Sequence, residues 1–161
     1  MAISLVVLTA GLGWGCSGSS EKSGNSSGQE QSEAQQTGLT DFQMENGIGP
    51  VTEKLDLGAV DKEMAEKGEK LFITNCSACH KLDERYVGPA QRDLVERRSP
   101  EYIMNMILNP AEMIEKHPEA KKMLAEYMTP MPNQNVSRDE ARAILEYFRY
   151  VDEHKDAQEI D

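Results

Sequence analysis

The sequence predicts an all-α domain from Val60 onward, on three observations. Strand signals are absent from that stretch, and its apolar residues instead recur three and four apart. The segments that carry this spacing open on helix-capping signatures. They are separated by Pro- and Asn-containing breaks, which keep each helix short.

Asp61 is the expected N-cap of a first helix with Met64, Leu71 and Phe72 on one face, running up to Cys76. Gly68 inside it costs about 1 kcal/mol relative to alanine, a cost acceptable where another helix must come close. Ser99-Pro100-Glu101 marks the next start, with Ser99 as cap and Pro100 at the first helical position. That helix carries Tyr102, Ile103, Met106 and Ile107 and stops before Asn109-Pro110. Shorter helical stretches are expected from Pro110 to Lys116 and from Pro118 to Tyr127. The last helix opens on the capping box Ser137-Arg138-Asp139-Glu140 and continues through Ala143, Ile144, Phe148 and Val151. No internal repeat is visible.

Upstream, Ser17 to about Gly38 is rich in Ser, Gly, Glu and Gln without apolar periodicity, the composition of a flexible tether. From Leu39 to Gly58 a few apolar residues stand among prolines and glycines, as in Gly47-Ile48-Gly49-Pro50-Val51, and predict an extended strap lying along the domain. A coil of about 40 residues would span roughly 35 Å, enough to hold the domain near an anchor.

Chemistry concentrates in Cys76-Ser77-Ala78-Cys79-His80. Two thiols three positions apart, followed at once by histidine, form the attachment signature of a c-type haem. On a helical path both sulfurs share one face, as does the imidazole four residues after Cys76, so two thioethers and an axial ligand come from five residues. Other readings of the pentapeptide fare worse. Zinc needs a fourth ligand, usually from a second separated pair, and only His117 and His154 remain. A redox dithiol would follow a strand, whereas Asp61–Asn75 reads as helix. A simple structural disulfide has nothing specific in its favour.

The chain has 161 residues and a formal net charge of −11, which suits one modest domain with appendages. Nucleic acid is an unsuitable partner for so acidic a chain. The third cysteine, Cys16, follows an apolar stretch too short to span a bilayer with ease and precedes the polar tether. This arrangement is similar to a bacterial lipoprotein signal, with small Gly15 before an acylated cysteine. It departs from the usual pattern in two ways: Met1–Leu5 holds no Lys or Arg, and Leu12 lies four rather than three residues before Cys16. Cleavage elsewhere and an uncleaved anchor are the competing readings. With lipid on Cys16 and haem on Cys76 and Cys79, every thiol has a use.

On these residues the chain resembles the class I cytochrome c family over residues 60–152. The resemblance implies that fold, four to five short helices wrapped around one covalently attached haem c, with Gly68 and Phe72 of the first helix packed against Leu145 and Phe148 of the last. It implies Cys76 and Cys79 as attachment points and His80 as axial ligand to the iron. The Pro89 carbonyl of Gly88-Pro89 is then the hydrogen-bond acceptor for the second ring nitrogen of that histidine. The second axial ligand implied is Met131, followed by Pro132, with Met128 as the alternative. Met104, Met106, Met113 and Met123 are expected as core filler or pocket lining. His117 and His154 are expected to face solvent. Arg98 and Asn109, near helix ends of the middle segment, are the candidates for haem-propionate contacts.

The chain thus divides into a signal segment over 1–16, a tether and strap over 17–58, a haem domain over 59–154 and a tail over 155–161. The phrases Val87-Gly88-Pro89 and Arg97-Arg98-Ser99-Pro100 are similar to those of small monohaem cytochromes tethered in Gram-negative periplasms. The function implied is single-electron transfer rather than catalysis: a monomeric carrier, lipid-anchored on the periplasmic side of a membrane through Cys16, serving redox proteins such as a terminal reductase. From Asp56 onward 22 acidic side chains face 15 basic ones, an excess suited to a basic docking patch on such partners. The alternatives are a haem subunit of a larger oxidase or reductase complex, and a haem enzyme or gas sensor with a labile methionine ligand.

Overall fold

Two helices crossing at a glycine set the frame of the molecule. The computed structural model describes residues 37–156; the signal segment, Cys16, the first part of the tether and the end of the tail lie outside the described residues. Helices α1 (Asp41–Asn46), α2 (Lys62–Asn75), α3 (Leu94–Arg97), α4 (Pro100–Leu108), α5 (Pro110–Lys116), α6 (Pro118–Tyr127) and α7 (Arg138–Glu153) follow in order, with no strand among the described residues. None of these helices is long and apolar enough to cross a membrane.

The caps read from sequence are in place. The Asp61 carboxylate accepts from Met64 N, Ser99 Oγ accepts from Tyr102 N, and Ser137 and Glu140 close a reciprocal capping box. Helix α2 lies across α7 so closely that a Cβ on Gly68 would fall 1.9 Å from the Ala143 carbonyl oxygen. That approach lets Phe72 pack edge-on against Phe148, ring centres 5.7 Å apart, and against Tyr147 at 5.6 Å. Around this contact Ile103, Met104, Ile107, Ile144, Leu145 and Val151 complete the main core.

Buried charge braces α7 at its middle and near its C-terminal end. The Glu146 carboxylate, wholly buried, accepts from Asp61 N at 2.7 Å and from Arg149 at 2.9 Å, and pairs also with Arg142. A buried carboxylate is tolerable only when its lone pairs are taken up in this way. Near the C-terminus Asp152 accepts from Asp93 N at 2.7 Å and Val95 N at 3.2 Å. It therefore caps α3, whose own N-cap, Asp93, has a left-handed backbone and makes no side-chain cap bond.

The segment over 39–58 packs along the domain, though not wholly as an extended strap. Thr40-Asp41-Phe42-Gln43 forms a full capping box and starts α1. Beyond it the chain is stitched down by Asn105 of α4. Asn105 Oδ1 accepts from Val51 N at 2.9 Å, and its Nδ2 donates to the carbonyls of Asn46 and Val51, also at 2.9 Å. Val51 enters the main core, while Ile48 joins Tyr102, Met113 and Ala120 in a second cluster. Residues from Leu39 on are thus part of the folded unit.

His117 does not face solvent: it is 1% exposed. As N-cap of α6 it accepts from Glu119 N at Nδ1, and its Nε2 donates to the Met44 carbonyl of α1 at 3.1 Å. The ring also meets Tyr102 edge-on at 5.2 Å. Burial holds the imidazole below its ordinary pKa, which suits the neutral tautomer that both bonds require. The histidine joins the strap to the domain.

Candidate haem site

The pentapeptide begins where α2 ends. Cys76 is the C-cap, its N–H donating to Phe72 O at 2.8 Å, and the backbone then tightens into a turn in which Cys79 N and His80 N both donate to Cys76 O. Neither cysteine is in a disulfide. The segment after His80 loops out and returns, closed by Gly88 N on Cys79 O at 2.8 Å and by Gln91 N on the carbonyls of Lys81 and Leu82 at 3.0 Å. This return brings Pro89 beside His80, whose Nδ1 lies 3.0 Å from the Pro89 carbonyl oxygen. Gly88 lies flat against the ring; a Cβ there would come within 2.5 Å of His80 Cε1. Only glycine permits the imidazole this position.

These groups form one wall of a cavity of about 420 Å³. Phe72 of α2 and Ile144 and Phe148 of α7 form its base, and Ile103, Met106 and Ile107 of α4 line it. Met123, Leu124 and Tyr127 of α6 contribute, as does the loop from Thr129 to Pro132. The size falls within the range of built ligand pockets and the lining is predominantly apolar. Burial, and then the neighbouring Cys79, push the Cys76 thiol up to about 11. At that value the sulfur stays a thiol at neutral pH. No cluster of three or more His, Cys, Asp or Glu arranged to hold a metal ion occurs among the described residues.

The other methionines sort by place. Met131 is half-buried and lines the cavity together with Cys76, Cys79 and His80. Met128, in left-handed backbone at the end of α6, is 81% exposed and absent from the lining. Met104 and Met113 are core residues, and Met106 and Met123 face the cavity. Arg98 also lines it, paired with Glu119 at 2.9 Å and set over the Tyr102 ring. Asn109 does not; its amide donates to Ile48 O and to Glu112.

Gln91 is a site residue that reading the sequence missed. It is 7% exposed and lines the cavity, and its side-chain amide lies against both Pro89 O and His80 Nδ1. The only signal was a polar residue two positions after Gly88-Pro89, which by itself says nothing about direction.

Two thiols on one turn, an oriented imidazole and a methionine lining the same apolar cavity fit a covalently held haem. A glycine that gives way to the imidazole strengthens that fit. A family model described as Cytochrome c matches residues 65–152. Among solved structures, the chain is similar to a cytochrome c from Rhodothermus marinus, with 48% identity and a TM-score of 0.67 over 70% of this chain and 97% of that one. An engineered form of that Rhodothermus marinus protein matches at 47% identity, a TM-score of 0.66 and the same coverage. No match was found among curated proteins.

Proposed function

This chain belongs to the cytochrome c family, and we propose that it is a lipid-anchored carrier passing single electrons between respiratory partners at a periplasmic membrane surface. It is a monohaem electron-transfer cytochrome whose cofactor is one covalently attached haem c. When bound, the haem supplies an iron that exchanges one electron between ferric and ferrous forms.

The observation that carries the carrier reading is that Met131 and His80 line the same cavity as the two cysteines. Cys76 and Cys79 would hold the porphyrin edge. His80, oriented by Pro89, would supply one axial ligand and Met131 the other, which leaves no position for a substrate. A thioether ligand and dry walls favour the ferrous form and raise the potential. The chain's residues therefore orient and insulate a redox centre rather than activate a substrate.

The acidic excess would steer the protein toward basic docking patches and raise encounter rates more than affinity. Oxidation of the ferrous holoprotein by a cationic one-electron oxidant is then expected to slow as salt rises, because the Debye length falls from about 30 Å at 0.01 M to about 8 Å at 0.15 M. A flat response removes steering. Carbon monoxide added to the same ferrous protein is expected to leave its spectrum unchanged. Rapid stoichiometric binding would replace the carrier reading with that of a gas-binding or catalytic haem.

Lipid on Cys16 would hold the domain near its partners at high effective concentration. The variant Cys16→Ser, followed by fractionation, is expected to move from membranes to the soluble extract. Retention on membranes would mean that something other than acylation anchors the chain.

A further inference from the structure

Gln91 stands where it can control the axial histidine through a shared acceptor. Its backbone is pinned from both sides: its N–H donates to the carbonyls of Lys81 and Leu82, and its carbonyl accepts from Leu94 N. The side chain, 7% exposed, points back to the loop that holds His80. Its Nε2 lies 2.6 Å from Pro89 O and 2.8 Å from His80 Nδ1, while Nδ1 itself is 3.0 Å from Pro89 O. Three polar atoms thus form a tight triangle at the Nδ1 edge of the imidazole.

The donors can be assigned. Turning the amide over would set its oxygen 2.6 Å from the Pro89 oxygen, two acceptors in repulsive contact, so the NH₂ group faces Pro89. With His80 Nε2 given to iron, the ring proton resides on Nδ1. The two nitrogens are then both donors and cannot bond each other. Both instead converge on the one Pro89 carbonyl oxygen and share it as acceptor.

We propose that Gln91 is a positioning residue that raises the reduction potential by competing with His80 for the Pro89 carbonyl. The inference rests on His80 being the axial ligand, as proposed above. An acceptor engaged by a second donor draws less on the Nδ1–H bond, so the imidazole gains less negative character and stabilises ferric iron less. The positive end of the amide dipole beside the ring acts in the same direction. Axial-ligand hydrogen bonding is one of the few levers a protein has on a haem potential.

Spectroelectrochemistry of holoprotein tests this on Gln91→Met and Gln91→Leu, which replace the amide by an apolar side chain, of similar length in Met and shorter in Leu, without the donor. At a fixed ambient potential the ferric-to-ferrous ratio of each variant is expected to be about threefold that of the parent, a midpoint about 28 mV lower at 59 mV per tenfold for one electron. An unchanged or raised midpoint, with a parent-like optical spectrum, overturns the proposal. Should neither variant take up haem, nuclear magnetic resonance of the ferrous parent decides: an Overhauser contact between a Gln91 Nε2 proton and His80 Nδ1–H supports it, and its absence overturns it. His80→Ala separates the two levels. A parent-like spectrum in that variant overturns the ligation reading itself, whereas a lost spectrum beside an unmoved Gln91→Met midpoint removes only the role of Gln91.

Discussion

Replacing both Cys76 and Cys79 by alanine is expected to leave little folded, exported protein. The cavity these residues border measures about 420 Å³ and is lined by Phe72, Ile103, Ile107, Ile144 and Phe148, the same side chains that join the helices. At about 24 cal/mol per Å³, an unfilled void of that size would cost about 10 kcal/mol. Water entering the open cleft makes this an upper limit, but the whole stability of a domain is only about 5–15 kcal/mol. A domain this small has little spare core with which to absorb the loss. Covalent attachment also keeps the porphyrin local to the chain before the fold closes. Periplasmic yield, visible absorbance and thermal melting followed by circular dichroism would report the outcome. A haem-free double variant that melts cooperatively near the parent temperature would show that the polypeptide core suffices.

Gly68→Ala is expected to destabilise the holoprotein by about 3 kcal/mol or more. Two effects oppose each other. Alanine is the better helix former by about 1 kcal/mol at an exposed site. Against this, the new methyl would sit 1.9 Å from the Ala143 carbonyl oxygen and 2.5 Å from its carbon. Backbone meets backbone there, so no rotamer change relieves the clash and the helices must part. Overpacking alone costs about 1–3 kcal/mol, and separating α2 from α7 also loosens the Phe72 contacts with Tyr147 and Phe148. The steric term wins. Guanidinium unfolding of parent and variant gives the comparison, and an equal or higher midpoint for Gly68→Ala would mean that the crossing is looser than the structure has it.

Local signals were the legible ones. Asp61, Ser99, Ser137 and the prolines at positions 100, 110 and 118 act within one helical turn, and the helices they open begin where those residues place them. The pentapeptide was legible for a similar reason, as a short motif with fixed spacing, whereas the Pro89 carbonyl beside His80 and Met131 at the cavity were reached through the family resemblance. What escaped depends on partners far away in sequence. Asn105 reads as a polar interruption of an apolar helix until its acceptors prove to be backbone groups 54 and 59 residues away. His117 sits in a polar stretch, and its burial follows from α1 docking against it from 73 residues upstream. The capping box at Thr40–Gln43 was readable, but it opens a helix of six residues, too short for apolar periodicity to show. Helix α3 had no such cue, because its cap is supplied by Asp152 from the far end of the chain.

The stitching of residues 39–58 decides how the molecule bears load. Tension applied ahead of Thr37 meets the Met44–His117 bond first, and then the three bonds of Asn105. Asp61 and its clasp on Glu146 come next, and only beyond them does the backbone reach Cys76. These joints act in series as a strain relief, like the clamp on an electrical cord. A pull from the N-terminal side is spent peeling this strip from the domain before it can disturb the wiring inside.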